Sequence, residues 1–423
     1  MKRSHLVLFG LAAVLGVAAA GSAGCGATGG RNVFNDGGSG GEDSGGNGGS
    51  GSSGQPGTGG SGADGVGGSF VGPGAGGSGA GDAQCSNDPN VDNDGDGFSE
   101  AQGDCNDCDA NVSPGSIEVA TDPNDPMAKP ADEDCDSVID NVAAASCDDN
   151  LGLEDQDPQN GARALDLCQF ITPDEKKWGV LNAQYVRANG SPASYTRHIG
   201  IQSNFGSNVN VQKGTRLLTL SSGYARLPSQ VGACGGISCS QIGGGVAPSG
   251  FPQDVPGCAG DTDINDDVGL QVKIRSPKNA TGYKFKFKFY SFEYPEWVCS
   301  SFNDQFIALA SPAPQGAING NISFDQNTNP VSVNIAFFDV CDGCALGSAE
   351  MSGTGFNQWG DAGGTSWLQT QAPIKGGDEV TIRWAIWDTG DTSWDSTVLV
   401  DGFEWVANGG TVVVGTDPIE DPT

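Results

Sequence analysis

The sharpest chemical pattern in the chain is the run Asp92-Asn93-Asp94-Gly95-Asp96-Gly97-Phe98. Three carboxylates at alternate positions of a glycine-bent loop can converge on one hard cation, and Phe98 can add its backbone carbonyl. The run opens like the calcium loop of an EF-hand. It then departs, because Gly103 stands where the bidentate Glu of such a loop belongs. Asp104 and Asp107 follow closely enough to supply the missing ligand. A second run, Asp132-Glu133-Asp134-Cys135-Asp136 with Asp140 behind it, either closes the same site or makes another.

Two further acidic groups lie much later. Glu293, Glu296 and Asp304 fall in one polar turn between apolar strands, and Asp388, Asp391 and Asp395 fall in another. At one end of a β-sandwich, two such turns can share a calcium ion or bind a ligand. Tyr294, Trp297, Trp387 and Trp394 offer a sugar-stacking surface, although Trp in a sandwich is more often core. Glu293 or Glu296 with Asp395 is also the kind of carboxylate pair a glycosidase uses. Other catalytic signals are absent. One histidine, His198, remains beyond the signal region, and no Ser-His-Asp set, HExxH helix, P-loop or dinucleotide glycine motif appears. The chain therefore reads as a non-enzyme.

What must position these residues can be read from composition. There are 52 acidic and 20 basic residues, a net charge of −32. Such a chain repels nucleic acid and anionic lipid, so neither is an expected partner. The acid is concentrated between Cys85 and Asn160, where divalent cations are the obvious neutralisers. Met1-Lys2-Arg3 and the apolar run Leu6–Ala20 read as a secretory signal, residues 1–24, too short to span a membrane comfortably. Ser22-Ala23-Gly24 before Cys25 reads as a lipoprotein processing site, with Cys25 acylated and the membrane reached through that lipid. Of 13 cysteines, Cys25 aside, 12 form an even set that reads as up to six disulfides in an exported chain. Cys341 with Cys344 and Cys234 with Cys239 are natural local loops.

Residues 25–84 are glycine- and serine-rich and cannot bury a core, so they read as a flexible tether. Residues 85–147 form the acidic, Cys-rich module, which must fold on metal and disulfides. Residues 148–175 are a linker holding a short helix near Ala162–Leu167, and 408–423 a flexible tail. Between them, 176–407 is strand-rich. Tyr283-Lys284-Phe285-Lys286-Phe287-Lys288-Phe289 alternates with period two, one face to a core and one to water. Arg216–Leu220, Gly269–Ile274, Phe306–Ala310, Val331–Phe338, Glu379–Trp387 and Val398–Trp405 are further strands. The fold class expected is all-β, a two-sheet antiparallel β-sandwich of jelly-roll or lectin-like form.

Two resemblances sharpen this. Asp92 to Gly97, Asp104 to Asp109, Pro114-Gly115, Asp134-Cys135-Asp136 and Ile139-Asp140 together resemble the MopE-type metal-binding repeat of bacterial surface proteins. Copper is attached to that family name. The matched elements here hold no His and no Met, which favours oxygen-ligated calcium. Ser291-Phe292-Glu293-Tyr294-Pro295-Glu296, Cys299 to Asp304 and Phe306 resemble the central motif of the choice-of-anchor L domain family. Asp388-Thr389-Gly390-Asp391, Trp394-Asp395-Ser396 and Val398 to Val400 match its late stretch, Gly200-Ile201 and Ser221-Ser222-Gly223 its early strands. That resemblance spans about residues 160–406 and implies a modular bacterial surface protein. The expectation is a calcium-stabilised display or adhesion lipoprotein of the outer membrane and cell surface. Its partner would be an extracellular glycan or surface protein. The alternatives are a lectin-like carbohydrate receptor and a polysaccharide hydrolase.

Overall fold

A computed structural model describes residues 85–142, 146–193, 197–239, 242–335, 337–407 and 410–419, all within one compact unit. The signal, Cys25 and the glycine-rich tether lie outside the described residues. In chain order the elements are helix α1 (Pro158–Arg163) and strands β1 (Gly179–Val186), β2 (Ile199–Gln202), β3 (Leu217–Ser221), β4 (Ile264–Arg275), β5 (Gly282–Ser291) and β6 (Gln305–Ser311). These are followed by β7 (Val331–Ser332), β8 (Phe338–Cys341), β9 (Gly363–Thr365), β10 (Leu368–Pro373), β11 (Glu379–Thr389), β12 (Ser396–Val406) and β13 (Gly415–Pro418). They build two antiparallel sheets. One runs β1-β4-β11-β6-β7; the other runs β13-β10-β5-β12-β3-β2, with β9 joining β5 to β8.

The aromatic alternation on β5 explains why the sheets stack. Phe285, Phe287 and Phe289 are fully buried, Phe285 edge-on to Trp384 of β11 at 5.5 Å and Phe287 against Phe306 of β6 at 5.0 Å. Truncating any of these rings to Ala would cost about 3–5 kcal/mol. On the opposite face Lys284 reaches Glu404 at 2.9 Å, as a solvated row should. Lys288 departs from the expected wet face. It is fully buried, pairs with Glu350 at 2.6 Å and lies over the Trp367 ring, because the excursion from β8 to β9 covers that end of the strand.

Other expectations need correction. The short helix sits earlier than Ala162–Leu167. Asp157 caps it by accepting from Gln159 N, Pro158 occupies its first turn, and Asp166 at φ 67° follows it in left-handed backbone. Val331–Phe338 is not one strand: the Ser332 carbonyl and hydroxyl accept from Ile335 N and Asn334 N, which turns the chain out of the sheet. The tail is not wholly flexible either, since Gly415–Pro418 pairs with β10.

Among its described residues the acidic module has one short 3₁₀ turn, Glu100–Gln102, and is closed by the disulfides Cys85–Cys108 and Cys105–Cys135. It docks on the loop joining β4 to β5. Lys278 N donates to Gly115 O, Asn279 exchanges two hydrogen bonds with Ile117, and Trp178 Nε1 donates to Ser116 O. The starts of β4, β6 and β12 and the ends of β5 and β11 lie at the opposite end. With β4 twelve residues long, the two ends are roughly 35 Å apart.

Candidate metal centres

In the first acidic loop the backbone folds back on its own carboxylates. Asp92 accepts from Gly95 N at 2.7 Å and Gly97 N at 2.9 Å, Asp94 from Asp96 N at 3.1 Å, and Asp96 from Phe98 N at 2.8 Å. Asp104 accepts from Asn106 N, and Asp107 takes both donors of Asn93. Asp92, Asp94 and Asp96 bring one oxygen each within 4.8 Å of one another, and so do Asp94, Asp104 and Asp107. Asp94 therefore joins two triads into a cage of five carboxylates. The second Oδ of Asp94, Asp96 and Asp104 is buried and has no hydrogen-bond partner, and Asp96 and Asp104 are each only 5% exposed. Burial, then the charges of Asp96, Asp104 and Asp92, pushes the Asp94 carboxyl up to about 6. Phe98, expected to lend its backbone carbonyl, buries its ring against Gly115, where a Cβ would meet it at 2.7 Å.

The second acidic run repeats the first in hydrogen bonding. Asp132 accepts from Asp136 N and Ser137 N, Asp134 from Asp136 N, and Asp136 from Val138 N. Cys135 and Ser137, at φ 58° and 73°, stand where the first loop has Gly95 and Gly97 at 80° and 101°. The cost of left-handed backbone at these two residues is borne by the loop's hydrogen bonds and the Cys105 bridge. Asp132 and Asp134 meet Glu118, which the sequence reading missed, in a triad within 4.8 Å. The second run thus forms a cluster of its own, apart from the first. Asp136 turns to Asn141 and Asp140 to Thr121, so these two expected ligands are not brought into that triad.

The sandwich carboxylates behave differently. Glu293, Asp304, Asp388 and Asp395, expected in two polar turns, are between 0% and 4% exposed. Asp304 accepts from Thr389 N at 3.0 Å and Ser396 Oγ at 2.6 Å. Asp395 accepts from Cys239 N, and its other oxygen has no hydrogen-bond partner. Asp388 lies close to Asp304 and Asp395, and Ser222 and Asp304 are hydrogen-bond partners of its carboxyl. Asp266, which sequence reasoning passed over, is fully buried in the β4 bulge, next to Asn265, the residue that pairs with Asp388; one oxygen accepts from Ile242 N and Gly243 N and the other has no partner. Burial pushes Glu293 up to about 10 and Asp304 up to about 7, and lifts Asp388 and Asp395 well above the carboxylate range. Asp391 is half-buried, accepts from Ser393 N, and its charge helps to push up Glu293 and Asp304, while Glu296 is exposed and interacts with Asp361.

The expected aromatic platform does not form as a unit. Trp387 is fully buried, Tyr294 stacks on Phe338 at 4.3 Å, and Trp297 and Trp394 make a separate edge-on pair at 5.4 Å. His198 is buried with Nδ1 3.1 Å from Ser221 O, and burial lowers its pKa. Among the described residues all twelve expected cysteines are bridged: Cys147–Cys168, Cys234–Cys239, Cys258–Cys299 and Cys341–Cys344 complete the set. No helix among the described residues is long and apolar enough to cross a membrane.

Residues 175–404 match the choice-of-anchor L domain family, and the match leaves the acidic module outside it. No curated protein matches the chain. Among solved structures, the enzymatically active domain of tailspike protein 4 from bacteriophage CBA120 shares 7% identity over 53% of this chain and 19% of that one, with a TM-score of 0.19. A β-glucosidase from Kluyveromyces marxianus, in complex with glucose, shares 10% over 48% of this chain and 18% of that one, with a TM-score of 0.16. At such scores neither likeness bears on fold or activity.

Proposed function

Because the chain belongs to the choice-of-anchor L domain family, whose domains mark surface-associated proteins, we propose that it is a non-catalytic display or adhesion protein whose acidic module is closed by calcium. The observation that carries the calcium reading is the cage: five carboxylates gathered by their own loop, with inward oxygens on Asp94, Asp96 and Asp104 that no protein donor satisfies. Calcium takes six to eight oxygen ligands in flexible geometry, and an all-carboxylate set suits it better than any soft metal. Repulsion within the cage opposes folding of a module that has little apolar core. A cation binding only the folded loop offsets that repulsion and stabilises the module by mass action.

The second loop, with Glu118, Asp132 and Asp134, reuses the same backbone device and is read as a second calcium site. Since the module is hydrogen-bonded to the β4–β5 loop, calcium there holds the base of the sandwich rather than its far end. Ahead of it, Cys25 carries the lipid and the glycine-rich tether provides reach, placing the domain on the outer membrane facing outward. Against hydrolysis stands the burial of Glu293 and Asp395, which leaves neither carboxyl open to a glycosidic oxygen.

The test is calcium titration of the chelator-treated protein by calorimetry and thermal melting. Calcium should bind with heat and raise the melting temperature by several degrees, and Asp94→Ala, which breaks both triads, should abolish most of that rise. A protein that melts identically with calcium and with chelator would overturn the reading.

A further inference from the structure

Where the acidic module meets the base of the sandwich, the described residues border a cleft of about 720 Å³. Sites for small ligands run to roughly 300–1,000 Å³, so the space suffices for one. Aromatic rings line it from separate segments: Phe170 and Trp178 ahead of β1, and Trp405 on β12. Each is half-buried, whereas Trp384 and Trp387 are withdrawn into the core. Trp178 commits its indole N–H to Ser116 O at 3.1 Å, so what it can offer the cleft is ring carbon. Trp405 stands edge-on to Phe403 at 5.1 Å and to Tyr283 at 6.2 Å, which fixes its position.

The polar groups among these rings are mostly acceptors. Asp166 lines the cleft from the turn after α1; its carboxyl lies near Gly402 N, and its buried Oδ2 meets no donor in hydrogen-bonding geometry. Gln169 donates its amide to Trp178 O and keeps Oε1 as an acceptor. The cationic donor is Lys213, whose Nζ lies 3.6 Å from Glu404 Oε1 on a side chain still 36% exposed. Glu404 is shared with Lys284 at 2.9 Å. Glu118 and Asp134 close the cleft from the module side.

That mixture selects among ligands. A purely apolar one would cover Asp166 and Lys213 without replacing their water. An anion would meet four carboxylates against one lysine. An organic cation suits the module side but meets Lys213 on the other, with Lys284 behind Glu404. A neutral saccharide meets every condition: its hydroxyls donate to carboxylate and amide oxygens and accept from Lys213, while its C–H face covers a ring. We propose that this cleft binds a neutral saccharide, with Trp178 and Trp405 as the ring surface and Asp166, Gln169 and Lys213 as hydroxyl partners. The proposal names a ligand for the display or adhesion protein and so rests on that reading. It does not need calcium, since these five residues lie outside the carboxylate clusters. Nor does it use Tyr294, Trp297, Trp387 or Trp394, which do not line the cleft.

The experiment is native affinity electrophoresis of the full-length chain through gels holding dextran, galactomannan, xyloglucan or mixed-linkage β-glucan, with polygalacturonate as the charged counterpart. Retardation by at least one neutral polymer is expected, weakened about tenfold in Trp405→Ala and kept in Trp394→Ala. Should Trp405→Ala fail to fold, Lys213→Ala, at an exposed position, gives the same reading. No retardation by any neutral polymer overturns the proposal. So does retardation that the folded cleft variants keep, or an equal response to polygalacturonate. Each gel is run with calcium chloride and with chelator, beside the calcium titration. Retardation in either gel leaves the cleft standing whether or not calcium binds. Calcium binding without retardation in either sinks the cleft and leaves the calcium reading intact.

Discussion

The two acid-rich ends of this molecule solve one electrostatic problem in opposite ways. In the module, Asp94, Asp96 and Asp104 each accept from a backbone N–H two residues ahead with one oxygen and leave the other without a protein donor. The chain is local, the loop is at the surface, and Asp92 itself is exposed. In the sandwich, Asp266, Asp304, Asp388 and Asp395 are spread over 130 positions and meet only because β4, β6, β11 and β12 end together. Asp92 stays open to water, whereas Asp96, Asp104 and Asp107 are shielded from it much as the sandwich set is. The same residue type is thus gathered by its own loop at one end and by the meeting of distant strands at the other.

The largest effect should come from Gly223→Ala, which places a methyl on the Asp395 carboxylate. We expect a loss of about 3 kcal/mol, read by denaturant unfolding. A loss below about 0.5 kcal/mol would mean that the buried end adjusts as freely as the loop. Next, in chelator, Asp388→Asn should stabilise the protein more as the pH is raised, because burial holds the Asp388 carboxyl well above the carboxylate range and its charged form is the costly one. Asp92→Asn under the same conditions should change it by less than about 0.5 kcal/mol, and equal shifts at both ends would erase the distinction.

A smaller effect is expected at Asp166, whose carboxyl burial pushes up to about 6. A raised carboxyl pKa favours the folded state below its unfolded value near 4, and that contribution is lost as pH rises from about 4 through 6. Asp166→Asn, which tolerates φ 67° equally well, should therefore raise the melting temperature at pH 7 and leave it unchanged at pH 4. Smallest of all, Glu296→Gln should lie within about 0.5 kcal/mol of wild type, since this exposed carboxylate joins neither group.

What could be read from the sequence follows from the same contrast. The loop at Asp92 is written in consecutive residues, so its spacing discloses it. Its copy at Asp132 is harder to see, because Cys135 and Ser137 replace the glycines that advertise such a turn. Glu118 was missed because it reaches Asp132 and Asp134 from a separate segment. Long alternating strands such as β5 and β11 are plain in the sequence. β10 is not, since its inward set is Leu368, Thr370 and Ala372, and Thr370 satisfies its hydroxyl with Ser323 and Thr416. Asp266 is invisible for a different reason: a bulge in β4 turns it inward, and nothing nearby in the chain announces the bulge.

The order in which the cysteines pair bears on how the chain is oxidised. Four of the bridges, Cys147–Cys168, Cys234–Cys239, Cys258–Cys299 and Cys341–Cys344, join each cysteine to the next one along, across 21, 5, 41 and 3 residues. An oxidant acting on the chain as it emerges N-terminus first, pairing each thiol with the next to appear, makes all four correctly. Only the module is interleaved, Cys85 with Cys108 and Cys105 with Cys135. There the same rule would join Cys85 to Cys105 and Cys108 to Cys135, so the quartet alone calls for a shuffling enzyme, or for calcium to fold the loops before the thiols close.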